Sequence, residues 1–321
     1  MDHAPAGGGA RLILLGAVAP VVWGTTYVVT TELLPPDRPM TASLLRALPA
    51  GLLLLALTRQ RPPRDWWGRF AVLALLNFGA FFPLLFLGAY RLPGGLAAVV
   101  GSAQPLVAAL LLLLAFRQRT PLPRMLWALA AVAGVSVAVF AGTVTLDALG
   151  LAAAFAGTAV MAAGVVLTRR WGLPDGMSGL AATGWQLTLG GLMIAPLVPL
   201  LDTGAFFLDL PAVLGYAWLA LPGGAVAYAA WFHAGRRVPA TSLTLLIPLT
   251  PVTAAVLGLL LLDETLTGLQ AAGFGLALVA SLAGQLPGLP RAGLRRGDAG
   301  RSRPGGDGPH RSGRGARHGS S

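Results

Sequence analysis

The stretch from Arg91 to Ala109, RLPGGLAAVVGSAQPLVAA, returns 146 residues later as Arg237 to Ala255, RVPATSLTLLIPLTPVTAA. Arg91 and Arg237, Pro93 and Pro239, Pro105 and Pro251, and a double alanine coincide. A second correspondence, shifted by 140, sets Ser43, Arg46 and Gly51 against Thr183, Gln186 and Gly191. The chain therefore contains a duplication, and the number of elements in each copy decides what kind of fold the duplication makes.

Of the 321 residues, 55% are hydrophobic and 11% charged, with a mean hydropathy of +0.71, which describes a polytopic membrane protein rather than soluble domains. About 20 apolar residues in helix cross a hydrocarbon core. On that measure the sequence predicts ten spans, at 12–33, 40–58, 68–90, 94–116, 124–142, 148–168, 178–200, 211–234, 239–262 and 267–287. Ala17-Val18-Ala19 has the form of a signal-peptidase site, but Pro20 behind it obstructs cleavage and the apolar run continues to Thr31. Spans one to five (12–142) duplicate as six to ten (148–287). Five is odd, so the second copy enters the membrane the other way up. The expected fold is an all-α membrane protein of ten transmembrane helices in two inverted five-helix repeats, with the substrate site near the midplane where the repeats meet.

The chain has no cysteine and no lysine; all 23 basic residues besides histidine are arginine. Disulfides, thiolate chemistry, a Walker-type phosphate loop and a lysine Schiff base are thereby excluded. Neither metal nor cofactor is expected. The net charge of +11 is concentrated at one end, since eight arginines follow Pro290 in a Gly/Arg/Ser/Pro-rich segment without apolar periodicity. Residues 288–321 therefore read as a disordered tail. Such a tail suits a cytoplasmic, topology-fixing role better than nucleic-acid binding. With the N-terminus inside, the inner segments before the tail carry twelve arginines and the outer loops only Arg38 and Arg91. The arginine bias places both termini in the cytoplasm.

The two halves resemble EamA domains of the drug/metabolite transporter superfamily. The features carrying the resemblance are Trp23-Gly24-Thr25-Thr26-Tyr27, Arg46, the Gln104-Pro105 and Thr250-Pro251 pairs, and above all Asp263-Glu264-Thr265-Leu266-Thr267 with Gln270 and Gly273 behind it. The first copy has Arg117-Gln118-Arg119-Thr120 where that last signature would place a glutamate. The resemblance implies a bacterial inner-membrane exporter of amino acids, amines or related metabolites. Its partners are a small-molecule substrate and the bilayer, and it acts as a monomer or homodimer.

Polar groups inside hydrocarbon mark candidate sites. Arg46 is the only charged side chain well inside a predicted span, where an unpaired arginine costs on the order of 3 kcal/mol. Either it anchors a substrate carboxylate, or it is satisfied by helix-end carbonyls or Glu32 while reaching toward the outer interface. Its counterpart Gln186 is neutral. Trp23 sits near the midplane and is expected to line a cavity or fill the bundle, with Tyr27 at i+4 on the same face. Asn77, Gln104, Gln186, Tyr228 and Thr250 are further substrate candidates, or else interhelical hydrogen-bonding groups. Gly24, Pro105 and Pro251 are candidate hinges, each proline removing a helical hydrogen bond. For proton coupling only Glu32 at an outer helix end and His233 at an inner one are available, which favours facilitated diffusion or exchange. A membrane-embedded enzyme is disfavoured by the lack of HExxH, GxSxG or paired carboxylates in any span. A multidrug or lipid-carrier translocator of the same fold is the other alternative.

Overall fold

The computed structural model describes residues 6–141, 147–238, 243, 245–262 and 265–285. The tail, Pro239, and Asp263 and Glu264 of the signature lie outside the described residues. What is described is all-helical. Eight helices have the length and composition to cross a membrane: α1 Ala10–Leu33, α2 Pro39–Thr58, α3 Arg64–Arg91, α4 Gly94–Phe116, α5 Leu122–Phe140, α6 Ala148–Trp171, α7 Gly179–Leu201 and α8 Leu210–Gly235. Two shorter apolar helices follow, α9 Leu249–Leu261 and α10 Gly268–Gly284. Among the described residues eight of the ten expected spans are full-length, and the two shorter helices fall within the ninth and tenth, parts of which lie outside the described residues. Within the described residues the ninth helix runs Leu249–Leu261, with turns at 245–248 ahead of it and Pro248 and Pro251 bracketing its first turn.

Six of the helices start by two kinds of local chemistry, three in each half. α6, α7 and α8 are each N-capped by their own preceding side chain: Asp147 accepts from the Gly150 N–H at 2.7 Å, Ser178 from Ala181 at 3.2 Å and Asp209 from Ala212 at 2.9 Å. Such caps satisfy N–H groups that have no intrahelical acceptor. α2, α4 and α5 begin instead around Pro39, Pro93 and Pro121.

Packing shows how the repeats are related. Along α2 and α7, Gly51 faces Thr188 while Gly191 faces Leu48; glycine and neighbour are each displaced by 140 residues. α5 and α10 cross in the same reciprocal way: a Cβ on Gly134 would lie 2.5 Å from the Ala277 nitrogen, and one on Gly273 would lie 2.6 Å from that of Ala138. In both pairs residue numbers rise along one helix as they fall along the other, so equivalent helices run antiparallel. That is the arrangement a two-fold axis in the membrane plane produces; an axis along the normal would leave equivalent helices parallel. Small residues at these crossings let backbones touch where apolar lipid offers no hydrophobic drive for association.

The ends of the α2–α7 pair cap each other. Asp202, just after α7, accepts from Met40 N at 2.9 Å, Thr41 N at 2.8 Å and Thr41 Oγ1 at 2.6 Å, at the first turn of α2. Gln60, just after α2, accepts through Oε1 from Ser178 N at 2.9 Å and Ser178 Oγ at 3.0 Å, at the start of α7. Each repeat therefore closes a helix end of the other.

Candidate functional site

Three irregular segments shape the middle of the bundle. α1 is interrupted at Thr25, between helices Ala6–Gly24 and Thr26–Leu33. The break lies where Gly24 meets α9: a Cβ there would be 2.6 Å from the Thr250 carbonyl oxygen and from Thr253 Cβ. Only glycine permits that approach. The other two segments are π-helical turns, Leu75–Gly79 in α3 and Leu221–Val226 in α8, whose starts are 146 residues apart, as in the sequence repeat. A π turn widens the helix and displaces carbonyls from their usual donors, which is why it is common at functional sites.

These irregularities organise the side chains. Trp23 donates its indole N–H to the Gly223 carbonyl at 3.0 Å, within the wide turn of α8. Its ring lies 5.2 Å from Tyr228 and 5.9 Å from Trp231, and Tyr228 lies 6.0 Å from Phe78. From Phe78 the aromatic row continues along α3 through Phe82 to Phe86, with centroid separations of 5.3 and 6.5 Å. Arg46 ends this row. It is 4% exposed, donates from Nη1 to Thr26 Oγ1 at 2.8 Å, and holds its guanidinium carbon 4.9 Å from the Phe82 centroid and 5.9 Å from that of Phe86. Its Nε is buried without a hydrogen-bond partner. Cation–π contacts offset part of the cost of burying the charge but provide no acceptor for that N–H.

The sequence-derived candidates separate into groups. Trp23, Arg46 and Tyr228 come together in this aromatic row. Glu32 is exposed at the end of α1, and Thr26 takes the guanidinium instead. Tyr27 packs with Ala89, Leu92, Ala97, Ala98 and Ala254 beyond the break at Thr25, away from the rings around Trp23 but within electrostatic reach of the Arg46 guanidinium. The i,i+4 rule needs an unbroken helix. Asn77 donates to Gln186 Oε1 at 2.8 Å and to Thr168 Oγ1 at 3.3 Å, joining α3, α7 and α6. Gln104 and Thr250 are half-buried at the starts of helical segments. Pro105 and Pro251 occupy first turns as well, in Gln104–Phe116 and Leu249–Leu261, where a missing N–H breaks no helical bond. They follow irregular turns rather than kinking a continuous helix. His233 is exposed and hydrogen-bonds Arg237.

Several residues of the site escaped the sequence reading: Thr26, Phe78, Phe82, Phe86, Trp231 and Gly223, and, at the helix ends of the α2–α7 pair, Asp202. The phenylalanines carried a visible signal, because 78, 82 and 86 repeat every four residues and share a helix face. Asp202 carried none, because its partners are about 160 residues away in sequence.

The fold and its buried, irregular centre define a multi-pass membrane protein built from two repeats. The EamA-like transporter family matches residues 10–140 and again 148–283, and the chain belongs to that family. PecM of Dickeya dadantii is 44% identical over 79% of this chain and 86% of its own length. A chloroplastic WAT1-related protein of Arabidopsis thaliana is 30% identical over 80% of this chain and 65% of its own, and an uncharacterized transporter of Synechocystis is 29% identical over 83% and 87%. A solved crystal structure, 19% identical, shares the fold with a TM-score of 0.60 over 85% of this chain and 96% of that one. The molecule is a membrane transporter; its family and named relatives point away from an enzyme.

Proposed function

We propose that the chain is a secondary transporter of the bacterial inner membrane, exporting small metabolites of the amino-acid or amine class by alternating access. Its site lies between the repeats around Trp23, Arg46 and Tyr228, both termini are cytoplasmic, and a single chain supplies the pathway. The observation carrying this reading is Arg46: a buried cation with an unused donor, beside an aromatic row joining α1, α3 and α8. Irregular backbone at membrane depth is tolerated where it borders a cavity or is packed against protein, and three such segments meet there. The orientation rests on twelve inner arginines against two outer ones. Neither His233 nor Glu32 borders the aromatic row, which supports facilitated diffusion or exchange over proton coupling.

Counterflow in proteoliposomes tests this reading, with a radiolabelled panel of neutral, basic and aromatic amino acids and amines, each with and without a pH gradient. Accumulation of one class, independent of the gradient, supports it. Silence across the panel from folded protein transfers weight to a second reading, a translocator of hydrophobic drugs or lipid-linked carriers. One observation favours that alternative: an open apolar hollow of about 430 Å³ between α1 and α8, lined by residues such as Val29, Leu214, Trp218 and Leu221.

A further inference from the structure

We infer that the Arg46 site selects organic monocarboxylates with a flat apolar body and discriminates against amines. This rests on the transport reading above but moves its substrate class from amino acids or amines to monocarboxylates. Arg46 is buried, yet its hydrogen-bonding is incomplete: Nη1 reaches only a neutral hydroxyl, and Nε has no acceptor. A buried guanidinium is normally completed by a carboxylate, which it can hold through two parallel N–H donors.

No side chain among the described residues provides that carboxylate. Among the described residues the acids all stand at helix ends or in loops. Glu32 is exposed, and Asp202 is fully committed to the start of α2 with Arg38 beside it. A bound monoanion therefore supplies the missing charge, while an amine adds a second positive charge in a region of low polarity, where like charges repel far more strongly than in water.

The shape of the surroundings selects the rest of the ligand. Phe82 and Phe86 are packed under the guanidinium in the core with Phe78 beside them, so the partly exposed ring surface next to that charge is that of Tyr228 and Trp23. Ring faces reward flat apolar area through offset or edge contacts. A zwitterion falls between the two extremes, because its ammonium finds ring faces but no carboxylate. The equivalent position of the other repeat offers no second cation, since Gln186 is already engaged by Asn77. One anion per chain follows.

The full chain in lipid nanodiscs tests this by calorimetric titration with 1-naphthoate, 1-naphthylalanine and 1-naphthylmethylamine, corrected with empty discs. We expect naphthoate to bind at a 1:1 ratio with a Kd at least tenfold below that of the amine, and the amino acid to fall between. Arg46→Gln should raise the naphthoate Kd at least tenfold and remove the preference. Arg46→Lys keeps the charge and should retain the preference, which decides the matter if the glutamine variant fails to fold. Amine binding equal to or tighter than naphthoate, or an unchanged Kd in folded Arg46→Gln, overturns the inference. Binding with the expected preference but no counterflow leaves the ligand class standing and removes the exporter. Counterflow of amines without naphthoate binding does the reverse.

Discussion

At the crossing of α1 and α8, the large Trp23 side chain reaches the Gly223 carbonyl; at the corresponding crossing of α6 and α3, the glycine is on α6 and the side chain on α3. There Gly164 makes room for Asn77, whose Oδ1 stands where a Cβ at 164 would go. Both crossings use a π turn and a glycine, so the backbone duplicates, but the bulky partner has changed sides. The consequence is chemical. The first crossing opens onto rings and Arg46, whereas the second closes in a neutral hydrogen-bonded set of Asn77, Gln186 and Thr168. Duplication preserves helix geometry because backbone contacts constrain it, and it releases side chains that contact only one another. One half can then hold a charge while the other supplies rigidity.

The largest effect is expected where the halves do not differ. Gly51→Val places a Cβ 2.6 Å from the Thr188 nitrogen and hydroxyl, and Gly134→Val places one 2.5 Å from the Ala277 nitrogen. Either should abolish recovery of monodisperse protein in detergent, because backbone must shift. Normal recovery of both would break the view that these crossings hold the repeats together.

Next come the reciprocal caps, which differ in charge. The Asp202 side chain is 0% exposed and accepts three hydrogen bonds, so Asp202→Ala should destabilise by about 2–4 kcal/mol through orphaned donors. Gln60→Ala should cost about 1 kcal/mol. Denaturation in mixed micelles ranks them, and equal losses would mean the charge on Asp202 contributes nothing.

The contrast between the crossings is sharpened by a smaller pair. Asn77→Leu should lower stability by about 1 kcal/mol and leave the binding preference in place. Trp23→Phe removes the bond to Gly223 and part of the ring contact with Tyr228 and Trp231, and should weaken binding more than folding. A reversed pattern, with Asn77→Leu removing the preference, would put the site in the other half.

The smallest effect is at the start of α6. The Gly150 N–H, and after it Arg91, hold the Asp147 carboxyl below the ordinary carboxylate range. A depressed folded-state value contributes stability that is present above the unfolded carboxylate pKa and fades as pH falls through the folded one. Asp147→Asn should therefore flatten the acid side of the stability profile slightly and, at neutral pH, remove the small contribution that the charged cap and its Arg91 pair make there. Retention of the full acid slope would assign it to another carboxyl.

Much of this architecture was legible in the sequence because membrane burial is written into composition. Runs of apolar residues broken by Pro35-Pro36, Arg59 to Asp65 and Arg117 to Pro121 place most helices within a few residues of where they lie. Arg46, Trp23 and Tyr228 stood out because polar and amphipathic groups in hydrocarbon need a reason. The pairing of Asn77 with Gln186 was not legible, since either could have faced a substrate. Nor was the separation of Trp23 from Tyr27, because the interruption at Thr25 is imposed by the approach of α9 to Gly24.

By itself the sequence determined that the chain crosses the membrane repeatedly, that its halves are copies and that an odd number of apolar spans inverts the second. These follow from local hydropathy and from counting, which need no knowledge of contacts. Only the tertiary structure decided that Arg46 meets Thr26 and two phenylalanines rather than Glu32, that each half caps a helix of the other, and that the prolines open helical segments rather than bend them. Those outcomes depend on which residues, distant along the chain, share one small volume, and that is set by how the helices pack.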